Sequence, residues 1–173
     1  MDEQKYTKMN VAIIPARGGS KGIKYKNIKL LCGRPLLYYT LDAALYSDKF
    51  ERIIVSSEDD EILGVAEDYG AGLEMRKRPE EYAQDHVHSI WAVLDCIGQY
   101  DFENEDTVCM LLPTSPFRTE DDIIGALELF DCSECNSVVS VAKATIPKSL
   151  GVNRRANSAV VRKTKAFPRP NDA

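Results

Sequence analysis

Short apolar runs alternate along this chain with stretches whose apolar residues recur at helical spacing. Val11-Ala-Ile-Ile14 is a compact hydrophobic run ending at Pro15, the pattern of a buried parallel strand. Pro35 can open a helix that places Leu36, Leu37, Thr40, Leu41, Ala44 and Leu45 on one face. Arg52-Ile-Ile-Val55 reads as the next strand, running into Ser56-Ser-Glu-Asp-Asp60, whose acidic residues suit a helix N-terminus. Ile62, Leu63, Ala66 and Tyr69 continue that helix until Gly70 stops it. After a polar stretch from Arg76 to His88, the positions Ile90, Val93, Leu94 and Ile97 predict one buried helical face. Thr107 to Leu112 predicts another apolar strand. Thr119 with Asp122 resembles a capping box ahead of the face Ile123, Ile124, Leu127 and Phe130, and Ser137 to Ala142 predicts a further strand.

Strands separated by helical stretches imply βαβ units and a mostly parallel sheet, an α/β fold. The expected fold class is a three-layer α/β/α arrangement with a mostly parallel sheet, over residues 1–145. Past Ile146 the pattern dissolves into Pro147, Gly151, the basic Asn153-Arg-Arg155 and Pro168-Arg-Pro170. Residues 146–173 are therefore set apart from the α/β unit of residues 1–145. Ligands of such sheets bind beyond the carboxyl ends of the strands, so the loops after Ile14, Val55 and Leu112 are the ones to inspect.

Composition narrows the classes. The chain has 173 residues, 44% apolar and 28% charged, which suits one soluble domain with a sizeable core. A formal charge of −5 offers no basic field for nucleic acid or an anionic membrane. No apolar run approaches the roughly 20 residues that span a bilayer, and the polar start from Met1 to Asn10 lacks a signal-peptide core. A cytoplasmic location is expected. The five cysteines, at irregular spacing, do not describe a disulfide framework. Cys132 and Cys135 form a Cys-x-x-Cys pair without the second pair or spaced histidines of a zinc site, and they read as reduced thiols at a helix end.

The strongest chemical signal is Pro15-Ala-Arg-Gly-Gly-Ser-Lys-Gly22, directly after the first strand. Adjacent glycines let backbone N–H groups converge on an anion, Arg17 and Lys21 add cations, and Ser20 adds a hydroxyl. Lys24, Lys26 and Lys29 make the neighbourhood more basic still. The loop matches neither the P-loop nor the Gly-x-Gly-x-x-Gly pattern, and the other reading is a flexible turn carrying solvated charges. Leu111-Leu-Pro-Thr-Ser-Pro-Phe-Arg118 is the second signal: Thr114, Ser115 and Arg118 can present donors to an acidic ligand, or the segment is a rigid turn with Arg118 paired to an acid. The third runs from Lys77 to Ser89, with Arg78 in a loop and Asp85 and Ser89 flanking the next helix. His86 and His88 do not share a helix face and read as surface residues rather than catalysts.

In register, five segments resemble the CMP-sialic acid synthetases (acylneuraminate cytidylyltransferases) from about Val11 to Val141. They are Ile13-Ile-Pro-Ala-Arg-Gly-Gly-Ser-Lys-Gly22, Lys26-Asn27, Ile54-Val-Ser-Ser57, Arg78-Pro79 with Ala83-Gln-Asp85, and Pro113-Thr-Ser-Pro-Phe-Arg118. The resemblance implies a Rossmann-like nucleotidyltransferase fold with an incomplete C-terminal part, in which residues 1–145 are the nucleotide-binding α/β catalytic domain and 146–173 the start of an incomplete dimerisation and sugar-binding extension. It also implies transfer of CMP from CTP to a nonulosonic acid with release of pyrophosphate. It implies nucleotide binding by Ala16, Arg17, Gly18, Gly19, Ser20, Lys21, Asn27, Arg78, Val87 and Ser89, with Arg17 and Lys21 acting catalytically. It places Leu112, Thr114 and Ser115 against the sugar acid, and implies Mg2+ on the phosphates and a homodimer in the full-length protein. Two departures stand out. Members of the family often carry Gln where this chain has Leu112, which points to a different nonulosonic acid, such as a legionaminic or pseudaminic acid. The family also continues into an Asp-x-Asp metal segment, whereas these residues end at Pro170-Asn-Asp-Ala173. No metal ligand is therefore assigned, Asp172 included, and this chain is expected to bind CTP but turn it over poorly. The alternatives are a nucleotidylyltransferase acting on 3-deoxy-manno-octulosonate or a sugar phosphate, and a non-catalytic nucleotide-binding fragment.

Overall fold

The computed structural model describes residues 7–20 and 22–141, and the backbone of 158–162. A sheet of six strands runs in the order β5-β4-β1-β6-β8-β7, formed by β1 (Asn10–Pro15), β4 (Arg52–Ser57), β5 (Glu74–Lys77), β6 (Thr107–Leu111), β7 (Ser137–Ser140) and β8 (Ser158–Arg162). β1 pairs in parallel with β4 and with β6, in registers Ile14↔Val55 and Ala12↔Cys109, and β4 pairs in parallel with β5. β8 is antiparallel to both β6 and β7. A small antiparallel hairpin of β2 (Leu30–Leu31) and β3 (Arg34–Pro35) precedes the first helix.

The alternation along β1 explains the layering. Ala12 and Ile14 face a core shared with α1 (Leu36–Tyr46), α2 (Asp60–Tyr69) and α4 (Glu120–Cys132), built on Leu37, Leu41, Ile62, Ala66 and Leu127. Val11 and Ile13 face the opposite core, where Val93 and Cys96 of α3 (Ile90–Gln99) pack with Ile54, Val108 and Met110. Side chains such as Ile13, Ile14, Leu37, Ile54 and Leu111 are fully buried. Each contributes about 1.5–3 kcal/mol, so packing on both faces holds the central strands far more than any cap does.

The helix signals in the sequence correspond to physical caps. Asp59 accepts from the amides of Glu61 and Ile62 at the start of α2, and Gly70 ends that helix at φ 79°. Thr119 and Asp122 form the expected capping box of α4. The buried face of α3 differs from the expected one: Ala92, Val93, Asp95 and Cys96 are covered, with the Asp95 carboxylate receiving two bonds from Arg76 at 2.8 and 2.9 Å. β5 was not anticipated, because Glu74-Met-Arg-Lys77 is too polar to read as a strand. It survives at the sheet edge, where Arg52 donates to Glu74 at 2.7 Å across the strand pair. β8 falls in the span where the pattern was read as dissolving, yet it pairs between β6 and β7.

The cysteines are free thiols among the described residues. Burial pushes the Cys96 and Cys109 thiols up to about 12, so neither is a nucleophile in the folded protein. No helix among the described residues is long and apolar enough to cross a membrane.

Candidate functional site

The parallel strands β1, β4, β5 and β6 all deliver their carboxyl ends to one edge of the sheet, where ligands of such folds bind. A cavity of about 600 Å³ opens there. Its wall draws on the loop after β1 (Arg17 and Lys26), the loop after β5 (Arg78, Tyr82 and Gln84 to Ser89) and the loop after β6 (Leu112 to Thr114). Three segments remote in sequence therefore share one wall, and the volume suits a nucleotide-sized ligand.

Each side chain has a visible reason for its place. Ala16 is buried and continues the strand ladder through its amide, which donates to the Ser56 carbonyl at 2.9 Å. Asn27, itself buried, donates from Nδ2 to the Arg17 carbonyl at 2.8 Å, so it braces the loop and does not line the cavity. Arg17 crosses to the opposite wall, pairing with Asp85 Oδ1 at 2.7 Å and donating to the Ala83 carbonyl at 3.4 Å. Arg78 lies almost fully buried: its amide donates to the Ser57 carbonyl at 3.0 Å and its guanidinium to Glu58 at 2.8 Å. The Nε of Arg78 is buried with no hydrogen-bond partner among the described residues, and a buried donor of that kind is a costly arrangement unless a ligand completes it.

The glycine loop is braced from beneath by the turn after β4. The Gly18 amide donates to Glu58 Oε1 at 2.7 Å, and the Ser20 amide donates back to the Gly18 carbonyl at 2.9 Å. Gly18 must be glycine for steric reasons: a Cβ there would stand 2.3 Å from Asp59 Oδ2. Gly19 has nothing within 4 Å of such a Cβ. Gly18, Gly19 and Ser20 do not line this cavity, and Gly19 is exposed. Lys21 lies outside the described residues.

Of the residues that the resemblance assigns to the nucleotide, Arg17, Arg78, Val87 and Ser89 share the cavity wall. Of those assigned to the sugar, Leu112 and Thr114 share it too. Ser115 stands with Thr114 on a neighbouring cavity of about 610 Å³ that also takes in Phe117, Arg118 and Asp122. There Arg118 NH2 donates to the Leu112 carbonyl at 3.2 Å, and burial draws its guanidinium below the usual arginine value. His86 and His88 are exposed, as the sequence leads one to expect, and both also border the cavity, with His88 Nδ1 accepting from the Ile90 amide at 3.2 Å. Tyr82, stacked on Trp91 with ring centroids 6.2 Å apart, was not singled out at all. Glu58 was read only as a helix-start acid, although it sits in the loop after Val55 that the topology marks.

A family model described as cytidylyltransferase matches residues 11–167. The chain belongs to the cytidylyltransferase family. It is 41% identical over 142 residues to the N-acylneuraminate cytidylyltransferase of Escherichia coli O18:K1:H7, a match covering 81% of this chain and 33% of that one. It is 39% identical over 141 residues to the CMP-N,N'-diacetyllegionaminic acid synthase of Legionella pneumophila, covering 80% and 60%. The chain thus spans between a third and three fifths of the length of these relatives. A CMP:2-keto-3-deoxy-manno-octonic acid synthetase solved with CTP shares the fold at TM-score 0.66 and 16% identity, over 90% of this chain and 75% of that one. The resemblance of the five segments to the CMP-sialic acid synthetases is borne out by the family model and by these relatives.

Proposed function

We propose that the cavity binds CTP and that the protein transfers its CMP moiety to a nonulosonic acid. The observation that carries this reading is the meeting of Arg17, Arg78 and Thr114 on one wall at the carboxyl ends of parallel strands. In the proposed reaction the anomeric hydroxyl oxygen of the sugar acid forms a bond to the α-phosphorus. The bond from that phosphorus to the bridging oxygen breaks, pyrophosphate leaves with the electron pair, and the hydroxyl proton passes to solvent. Arg17 and Lys21 stabilise the charge that grows on the leaving group. Arg78, with the backbone near Val87 and with Ser89, reads the cytosine, whose O2 and N3 acceptors suit a guanidinium with an unused donor. Arg17 is shared with Asp85 in this structure, so binding of a triphosphate would draw on a cation already partly committed.

Leu112 and Thr114 face the acceptor in this reading, with Ser115 behind them. An apolar Leu112 offers no hydrogen bond to the sugar, which favours a nonulosonic acid other than N-acetylneuraminic acid. The similarity to both the acylneuraminate and the legionaminic acid enzymes, at 41% and 39% identity, spans that choice.

Magnesium supplies charge neutralisation on phosphates when it accompanies a nucleotide. Among the described residues no group of three or more His, Cys, Asp or Glu side chains is placed to hold a metal ion. The proposal therefore assigns magnesium no protein ligand and takes no step through it. A homodimer working in the cytoplasm, with residues 146–173 contributing to the dimer and sugar site, belongs to the same reading.

The test is pyrophosphate release with CTP, magnesium and a panel of N-acetylneuraminic, legionaminic and pseudaminic acids, with turnover by these 173 residues expected to be slow. Release that depends on one of these acids and on CTP supports the reading. Equal release with ATP, or release that needs no sugar acid, contradicts it.

A further inference from the structure

Glu58 lies behind the cavity wall and ties the glycine loop to Arg78, the elements that the proposed function assigns to phosphates and base. Its Oε1 accepts from the Gly18 amide at 2.7 Å, and its Oε2 accepts from Arg78 NH2 at 2.8 Å. The carboxylate side chain is 13% exposed and its arginine partner 3%. Both carboxylate oxygens are therefore in use, each by a different element, in a nearly dry setting where such bonds are strong and directional.

Two consequences follow from charge and geometry. First, a guanidinium tethered at NH2 is fixed in plane, so the orientation of the buried, unpartnered Nε of Arg78 is set by Glu58. Second, the Gly18 amide is a donor at the start of the glycine loop, and here it already serves an anion. A fixed negative charge on that loop opposes a second polyanion, and the opposition is felt most by a phosphate chain with no base to compensate.

We infer that Glu58 is a specificity-determining positioning residue of this site: it aims Arg78 at the base and lowers the loop's affinity for phosphate chains that lack one. The inference rests on reading the cavity as a nucleotide site. Glutamine cannot replace it, because an amide has a single acceptor oxygen, and its NH2 group would face a donor on one side or the other.

The experiment is calorimetric titration of wild type and Glu58→Gln with CTP, UTP and inorganic tripolyphosphate, each with magnesium. The two effects have opposite signs, which separates them from a loss of structure. In Glu58→Gln tripolyphosphate should bind about tenfold tighter, because a nearby like charge is gone. The ratio of CTP to UTP affinity should fall by about fivefold or more, because Arg78 loses its tether. Parallel weakening of all three ligands, or no change in either quantity, overturns the inference. If wild type does not distinguish CTP from UTP, the proposed function fails on its own. Tighter tripolyphosphate binding by Glu58→Gln would then still support the masking role, and its absence would overturn it. Should Glu58→Gln fail to fold, Glu58→Asp carries the test: it keeps the charge but withdraws the carboxylate by one methylene from both donors. A lower CTP preference with tripolyphosphate binding at or above wild type supports the inference, and an unchanged preference overturns it.

Discussion

Replacing Gly18 with alanine tests whether the glycine loop is held by the turn after β4. The new Cβ would lie 2.3 Å from Asp59 Oδ2 and 3.0 Å from both Asp59 Cβ and Cγ, so something must move. Asp59 is not a loose side chain. Its Oδ1 accepts from the Glu61 amide at 2.9 Å and the Ile62 amide at 3.3 Å, and its own amide donates to Ser57 Oγ at 3.0 Å. Turning it away sacrifices the α2 cap, about 1 kcal/mol. The other escape is for the loop to retreat, which stretches the 2.7 Å bond from the Gly18 amide to Glu58. A hydrogen bond to a charged acceptor is worth about 1.5–3 kcal/mol. Gly18→Ala should therefore cost about 1–3 kcal/mol, a fall of roughly 3–9 °C in melting temperature for a chain of this size. Gly19→Ala, with nothing within 4 Å of its Cβ, is the control and should melt within a degree or two of wild type. Asp59→Ala alone loses the cap, but in the double variant it also removes the 2.3 Å clash with Oδ2 and leaves only the Asp59 Cβ at 3.0 Å. The Gly18→Ala/Asp59→Ala pair should thus cost less than the sum of the two singles. Scanning calorimetry or thermal circular dichroism reads wild type and all four variants. A Gly18→Ala variant that melts with wild type, or a strictly additive pair, would refute the bracing argument.

Two further outcomes follow from the titrating groups. The Glu74 carboxyl is held below its usual range by the hydrogen bond from Arg52, so its stabilising contribution is present above the unfolded carboxyl value of about 4.3 and is lost as pH falls through the lower folded value. Glu74→Gln should therefore be less stable than wild type at neutral pH and approach it below about pH 4, read by urea titration across pH. Parallel stability curves would contradict this. For the thiols, burial of Cys96 and Cys109 predicts that an aromatic disulfide reagent modifies the exposed Cys32 and Cys132 quickly, and the buried pair only when denaturant is added. Rapid reaction of Cys96 in native buffer would count against the packing described for α3.

The central strands and their helices were legible because burial there is two-sided and the apolar runs are unmixed. Val11 to Ile14 and Thr107 to Leu111 could be read with no knowledge of their partners. β5 could not, because an edge strand such as Glu74 to Lys77 is held by a cross-strand ion pair and ladder bonds, which leave no hydrophobic period. β8 was missed for a related reason: Ser158 to Arg162 gains its order from pairing on both sides, a non-local fact. In the site, the segments around Arg17, Arg78 and Thr114 were found as chemistry and their convergence was implied by topology. Glu58 was not recognised, since its meaning depends on Gly18 and Arg78 lying within 2.8 Å of one carboxylate. The exposure of His86 and His88 was legible, but their place on the cavity border was not, because it depends on how the loop ahead of α3 folds.

The central claim is that this cavity selects CTP, and calorimetric titration with CTP, ATP, GTP and UTP in magnesium tests it most directly, beside an Arg78→Ala variant. The account predicts clear preference for CTP in the wild type, with Arg78→Ala losing most of that preference while still binding triphosphate through the first loop. Equal, weak binding of all four nucleotides, or a CTP preference that survives the loss of Arg78, would contradict it.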